Sequence, residues 1–328
     1  MTEDRTTSEI CIKPLVSIVL ICFNQERFIE QAVHSVISQD YPNLEIIISD
    51  DCSTDKTYSI AKQVASNNTE HKLFIYSNIK NLGLIGNFKE ALNKANGDLV
   101  VIASGDDVSK PERVSRIYKS WIENNKPDIL SSSYTLINED GAHLHNRVET
   151  QSGNFNSGPI FNKKYLYFFC GATAAYSKSF LQSLHIPEGY DGAEDVALLY
   201  QAELEGRSSM DISESLVYYR THQDSMSHAK FLTIYDQEIY SLRSWSWLFS
   251  SLKLLQLNSY PKYSKSTINY TELERLLSHY YIRKNWDKSN IFERLKALKL
   301  CKNKDEYKWV IPRIFGIRFF ARFKVLFL

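Results

Sequence analysis

Apolar residues along the chain fall into two alternating patterns. Leu15 to Cys22 (LVSIVLIC) and Leu44 to Ser49 (LEIIIS) are short runs rich in Ile and Val, as strands buried on both faces are. Between them, Phe28/Ile29, Ala32/Val33 and Val36/Ile37 recur every four residues, the spacing of a helix with one apolar stripe. The alternation continues. A helix is predicted from Lys56 to about Ser66, capped by Ser53 or Asp55, and a strand over Lys72 to Tyr76. After a loop from Asn78 to Gly86 comes a helix from Asn87 to Ala95, with Gly97 as its stop, and a fourth strand from Asp98 to Ala103.

Four strand–helix alternations with short connections imply a mostly parallel sheet with right-handed crossovers and helices on both faces. The C-terminal ends of its strands then lie along one edge, where ligands bind in open α/β sheets. Three of these ends carry polar clusters: Phe23-Asn24, Asp50-Asp51 and Ser104 to Asp107. No G-x-G-x-x-G follows the first strand, which counts against a dinucleotide fold. Asp106-Asp107 admits two readings. The pair could share a divalent cation that holds a diphosphate, or Asp107 or Ser109 could simply cap a helix beginning at Lys110-Pro111.

Further along, the pattern predicts a helix over Pro111 to Glu123, a strand over Asp128 to Tyr134 and a hairpin turn at Asp140-Gly141. Lys163 to Phe169 reads as a helix and Ala172 to Tyr176 as a strand. A loop, Gly189 to Gly192, leads into Glu194-Asp195 and an apolar helix, and Ser215 to Tyr219 is a strand running into Arg220-Thr221-His222. From about Phe231 the pattern turns helical and aromatic, with helices expected across Trp245 to Leu255, Leu273 to Tyr281 and Ile291 to Leu300. Residues 1–13 read as a disordered N-terminus, 14–228 as the α/β domain and 229–328 as a helical C-terminal region.

Composition narrows the function classes. Lys and Arg total 39 against 38 Asp and Glu, so no basic field favours nucleic acid. The five cysteines are scattered without a C-x-x-C, which suggests neither a zinc site nor a disulfide framework. An odd cysteine count behind a polar N-terminus is expected of a cytoplasmic protein. No apolar run is long enough to span a bilayer. The segment 309–328 is basic and aromatic, with no acid after Glu306. It reads equally as a helix docked on the domain or as a peripheral contact with the inner face of a membrane.

The ordered set VSIVLICFN (Val16 to Asn24), DDCSTD (Asp50 to Asp55), Asn81-Leu82-Gly83, Gly97-Asp98 and SGDD (Ser104 to Asp107) resembles family 2 glycosyltransferases, which have the GT-A fold. Glu194-Asp195 and Tyr219 to His222 resemble that family's acceptor-side motifs, so the likeness covers roughly residues 15–228. Asn87-Phe88, in place of the family's usual Ala-Arg, resembles the rhamnosyltransferase-like branch. The resemblance implies a nucleotide site made by Phe23, Asn24, Asp50, Asp51, Asn81, Gly83 and Asp106, with Asp50 as the best match for the uracil contact. It implies Mg²⁺ or Mn²⁺ on Asp106, although Ser104 stands where the family's Asp-x-Asp has its first acid. His222 could reach the metal or the diphosphate, and Arg220 the phosphate charge. Asp195 matches the general base, and Glu194 would orient it or the acceptor.

The expected activity is inverting transfer of a sugar from a UDP- or dTDP-sugar to a hydroxyl of a glycan or polyprenyl-linked acceptor, in synthesis of a bacterial surface polysaccharide such as O antigen or capsule. Two alternatives remain: a non-catalytic nucleotide-sugar-binding scaffold and a nucleotidyltransferase. The second wants a glycine-rich basic loop that Phe23-Asn24-Gln25-Glu26 does not supply.

Overall fold

The structure, a computed structural model, describes residues 13–68, 70–145, 170–184, 186, 194–205, 207–222, 225, 278, 281–282, 286 and 289–301. The chain divides into two compact units: Met1–Ser157, Tyr167–Leu184 and Gly206–Ser225 form one; Gly158–Leu166, His185–Glu205 and Met226–Leu328 form the other.

The first unit begins with β1 (Val16–Cys22), α1 (Ile29–Ile37), β2 (Leu44–Asp50), α2 (Thr57–Ala65), β3 (Lys72–Ser77), α3 (Gly83–Leu92) and β4 (Leu99–Ser104). The four strands pair in parallel in the order β3-β2-β1-β4, as the alternation predicted. Alternate residues face opposite sides of the sheet. Ile18 and Leu20, Ile46 and Ile48, and Val101 and Ala103 form one core with the apolar stripes of α1 (Ala32, Val33, Val36) and α2 (Ala61, Val64). The intervening residues face away from that core, and α3 lies along β1 and β2 with Phe88 and Ala91 buried.

The rest of this unit is antiparallel and mixed. It comprises β5 (Val108–Ser109), α4 (Arg113–Glu123), β6 (Ile129–Ile137), β7 (His143–His145), β8 (Ala174–Ser177), α5 (Lys178–Gln182) and β9 (Ser209–Arg220). β8 runs antiparallel between β4 and β6, β9 runs parallel to β6, and β5 closes the order β3-β2-β1-β4-β8-β6-β9-β5. β7 pairs with β6 through the Asp140-Gly141 turn. In the second unit, α6 spans Glu194–Glu205 and α7 spans Ile291–Leu300, where a helix was expected. Ile282, Trp286, Ala297 and Cys301 make a small core there. The expected elements at 163–169, 189–192 and 245–255, most of 273–281, and the tail 309–328 lie outside the described residues.

Four local expectations are corrected. α3 begins at Gly83, not Asn87, because the Asn81 side chain accepts the Gly83 N–H at 3.0 Å and starts the turn early. Gly97 is not the helix stop, since α3 ends at Leu92. Gly97 instead presses against β1, where a Cβ would lie 2.5 Å from the Ser17 nitrogen. Neither Asp107 nor Ser109 caps α4, whose N-cap is Glu112 without a side-chain bond. Ser109 lies in β5 and accepts from Arg113 at 2.9 Å. β9 is also far longer than Ser215 to Tyr219, because two register shifts against β6 break the alternation a sequence reading relies on.

Candidate active site

Strand register gathers the polar clusters. Cys22 pairs with Asp50 across β1 and β2, and Ile21 pairs with Ser104 across β1 and β4. Gly105 donates its N–H to the Ile21 carbonyl at 3.0 Å, drawing the loop after β4 onto the end of β1. A side chain at Gly105 would collide with Gln25 Oε1 and with Cys22 Cβ at 2.6 Å, so only glycine allows this approach.

The β1–α1 and β2–α2 loops are tied together. Asn24, in the left-handed region at φ 50°, accepts the Thr54 N–H on Oδ1 at 2.9 Å and donates its own N–H to Ser53 Oγ at 2.9 Å. Glu26 N–H donates to Asp55, while Lys56 N–H donates to Glu26. Phe23 stands beside this tie with 42% of its surface exposed.

Strand alternation gives the adjacent acids different surroundings. Asp50, in phase with Ile46 and Ile48, is fully buried. Its carboxylate accepts from Ser53 N–H at 3.1 Å, Ser77 Oγ at 2.6 Å and Ser53 Oγ, with a weak contact from the Cys22 thiol at 3.9 Å. That thiol is pushed well above its usual pKa by burial and by the carboxylates around it. Asp51, one residue on, accepts from Asn78 Nδ2 at 3.0 Å and Leu82 N–H at 2.8 Å. Both bonds fall on Oδ1. Behind them Asn78 also donates to Asn87 Oδ1 at 3.0 Å, and Asn87 Nδ2 donates to the Ser49 carbonyl at 3.1 Å. No sequence motif marks Asn78, and Asn87 is marked only by the unusual Asn87-Phe88 pair.

The loop after β4 is held by buried arginines. Arg220, 2% exposed, donates from Nε to the Asp106 carbonyl at 2.8 Å. Its other nitrogens donate to the Asn138 and Glu139 carbonyls and to Gln31 Oε1, and the guanidinium lies over the Phe28 ring. The Arg220 fork, expected on phosphate, is engaged in bracing this loop. Arg113, also buried, bonds the Ile102 and Ala172 carbonyls, and burial lowers its pKa to about 10. Asp107 accepts the Arg220 N–H at 2.8 Å; burial, with the Asp106 charge, raises its carboxyl well above the usual range.

Asp106 faces the other way. Ser104 Oγ donates to Oδ1, and His222 Nε2 lies 3.0 Å from Oδ2. The imidazole also packs on Phe28, with ring centroids 4.7 Å apart. Two residues separated by 116 positions thus meet as a carboxylate–imidazole pair, the two groups expected to share a metal. Among the described residues no three His, Cys, Asp or Glu side chains cluster as a metal site.

In the second unit, Glu194 and Asp195 open α6, where acids favour the helix dipole. Glu194 is buried; burial first, then the Asp195 charge, pushes its carboxyl up to about 8. Such a group holds a proton at neutral pH beside its neighbour.

Comparison with known proteins places the fold in a family. The sequence profile of "Glycosyl transferase family 2" matches residues 17–184. "Putative glycosyltransferase EpsE" of Bacillus subtilis is 26% identical over 234 residues, 69% of this chain and 80% of EpsE. The Escherichia coli enzyme "UDP-Glc:alpha-D-GlcNAc-diphosphoundecaprenol beta-1,3-glucosyltransferase WfaP" is 28% identical over 220 residues, 66% of this chain and 81% of WfaP. Among solved structures, the mannosyltransferase PcManGT from Pyrobaculum calidifontis, in complex with GDP-Man and Mn²⁺, superposes with a TM-score of 0.56 at 15% identity, over 92% of this chain and 84% of that one. That last likeness is one of fold, and it matches the GT-A architecture that the family resemblance implied. With the profile covering the strands whose ends carry Asp51 and Asp106, the chain belongs to glycosyltransferase family 2.

Proposed function

We propose that this glycosyltransferase moves a sugar, with inversion, from a UDP- or dTDP-sugar to a hydroxyl of a glycan or polyprenyl-linked acceptor in surface-polysaccharide synthesis. The observation that carries the reading is the strand register that brings Asp51 and Asp106 to one edge of the parallel sheet. Asp51 takes the base contact in place of Asp50. Asp50's carboxylate is enclosed by internal donors, whereas Asp51 uses Oδ1 for the protein and keeps Oδ2 for a base N–H. Phe23, Asn24, Asn81 and Gly83 frame the base and ribose.

Asp106 and His222 suit Mg²⁺ or Mn²⁺, which take one or two protein donors and fill the remaining positions with phosphate oxygens and water. When bound, such an ion neutralises charge on the leaving diphosphate. Arg220 and Arg113 keep Asp106 in place from behind. Asp195 takes the proton of the acceptor hydroxyl as its oxygen bonds the anomeric carbon and the carbon–phosphate-oxygen bond breaks. Glu194, protonated, orients that carboxylate or the acceptor. WfaP, by its name, uses UDP-Glc and a diphosphoundecaprenol-linked acceptor, which supports a lipid-linked acceptor here. The basic tail 309–328 fits contact with the membrane carrying it.

Nucleotide-sugar screening by thermal shift, followed by transfer assays, tests the proposal. The expected result is a donor that raises the melting temperature and is turned over. Asp195→Asn should lower kcat by about 10²–10⁴-fold with donor affinity unchanged. Binding without turnover, or full activity in Asp195→Asn, would defeat it.

A further inference from the structure

We propose that Asn87 is a positioning residue that fixes the donor–acceptor sense of the nucleobase pocket, selecting bases with a ring N–H over bases with a ring acceptor. The inference rests on the assignment of Asp51 as the base contact.

A side-chain amide can face either way, and the one at Asn78 decides what Asp51 meets. The sense of that amide follows from a chain of hydrogen bonds that starts at an immovable backbone group. The Ser49 carbonyl can only accept, so Asn87 turns its Nδ2 toward it, at 3.1 Å. That places Asn87 Oδ1 on the other side, where it accepts from Ser49 Oγ and from Asn78 Nδ2 at 3.0 Å. Asn78 must then present its NH₂ group, and the same nitrogen reaches Asp51 Oδ1 at 3.0 Å. The Leu82 N–H adds a second donor to that oxygen at 2.8 Å. Asn87 is 3% exposed, so water cannot readily replace it.

Two donors on Oδ1 fix the orientation of the Asp51 carboxylate. Its remaining oxygen then accepts from the N3–H of uracil or thymine. The unprotonated N3 of cytosine would oppose it lone pair to lone pair. Without Asn87, the Asn78 amide is free to turn its oxygen toward Asp51. The Asp51 carboxylate then loses its fixed place opposite the base N–H, and the discrimination between the two bases falls. Asn87 touches no ligand in this account; it acts through Asn78 and Asp51.

The experiment measures dissociation constants of UDP and CDP for the full chain, its Asn87→Leu variant, and Asp51→Asn. Wild type should prefer UDP by at least about tenfold. Asn87→Leu should shrink that ratio to within about threefold, as Asp51→Asn does, because an unsatisfied pairing costs about that much. A purely structural role would lower melting temperature and weaken both nucleotides together, leaving the ratio intact; that result overturns the inference. Should Asn87→Leu fail to fold, the half-buried Asn78→Ala is read by the same ratio. If wild type shows no preference for UDP, the assignment of Asp51 itself has failed. If UDP is preferred and both variants keep the preference, only the relay has failed.

Discussion

At the scale of single residues, a shift of one position along a strand separates structure from chemistry. Asp50 and Asp51 look interchangeable in sequence, yet Asp50 closes the ends of β2 and β3 while Asp51 faces Asn78 and Leu82. Asp50→Asn should therefore cost about 1–3 kcal/mol of stability, since buried hydroxyl and amide donors lose their acceptor, and leave UDP affinity nearly intact. Asp51→Asn should do the reverse. Chemical denaturation and nucleotide titration on both variants separate the two, and matching losses of affinity would refute the division of labour. Glu194 gives a pH signature. Its carboxyl lies near 4.5 when exposed and near 8 when folded, so the fold favours the protonated form. The stability it contributes is complete at pH below about 4.5 and fades as pH rises toward about 8. Denaturation midpoints from pH 5 to 9 should fall less steeply in Glu194→Gln. Parallel curves for the two proteins would remove the burial argument.

At the scale of elements, what the sequence makes readable depends on how local the cause is. Runs such as LVSIVLIC and LEIIIS announce central strands because both faces are buried, and the i, i+4 stripe of α1 announces its helix. The strand-end clusters follow from those two patterns alone, which is why the Asp50-Asp51 and Asp106-Asp107 pairs stood out, although the resemblance placed the base contact on Asp50. The meeting of Asp106 with His222 needed the family resemblance, since nothing in a 116-residue separation suggests a contact. The bracing role of Arg220 was hidden for a different reason: a conspicuous cation near acids resembles a phosphate ligand until its backbone partners are seen. The bulged pairing of β9 with β6 was hidden by its own irregularity. Gly105 tests how tightly the β1 and β4 loops interlock. Gly105→Ala must displace the Gln25 side chain and the Cys22 Cβ, at about 1–3 kcal/mol, and should raise the donor KM through movement of Asp106. An unaltered KM in a folded Gly105→Ala protein would mean that the loop tolerates the displacement.

At the scale of the whole molecule, the first unit contains everything assigned to the donor, and the assigned base opens a helix of the second. On the roles proposed above, acceptor choice falls to the second unit. Among the described residues no helix is long and apolar enough to cross a membrane. From Tyr307 to Leu328 the chain carries Lys308, Arg313, Arg318, Arg322 and Lys324 with no acid, interleaved with Phe, Trp, Ile and Leu. A cation at an anionic surface contributes about 1 kcal/mol, so five together reach about 5 kcal/mol, enough for reversible association. The full chain should co-sediment with vesicles containing anionic phospholipid at low salt and be released as added salt shortens the Debye length. Exchanging the five cations for glutamine should abolish sedimentation while leaving UDP affinity unchanged, because the donor residues lie elsewhere in the chain. Protein that stays in the supernatant with anionic vesicles at low salt would identify the tail as a docked segment and leave acceptor capture to α6 and its neighbours.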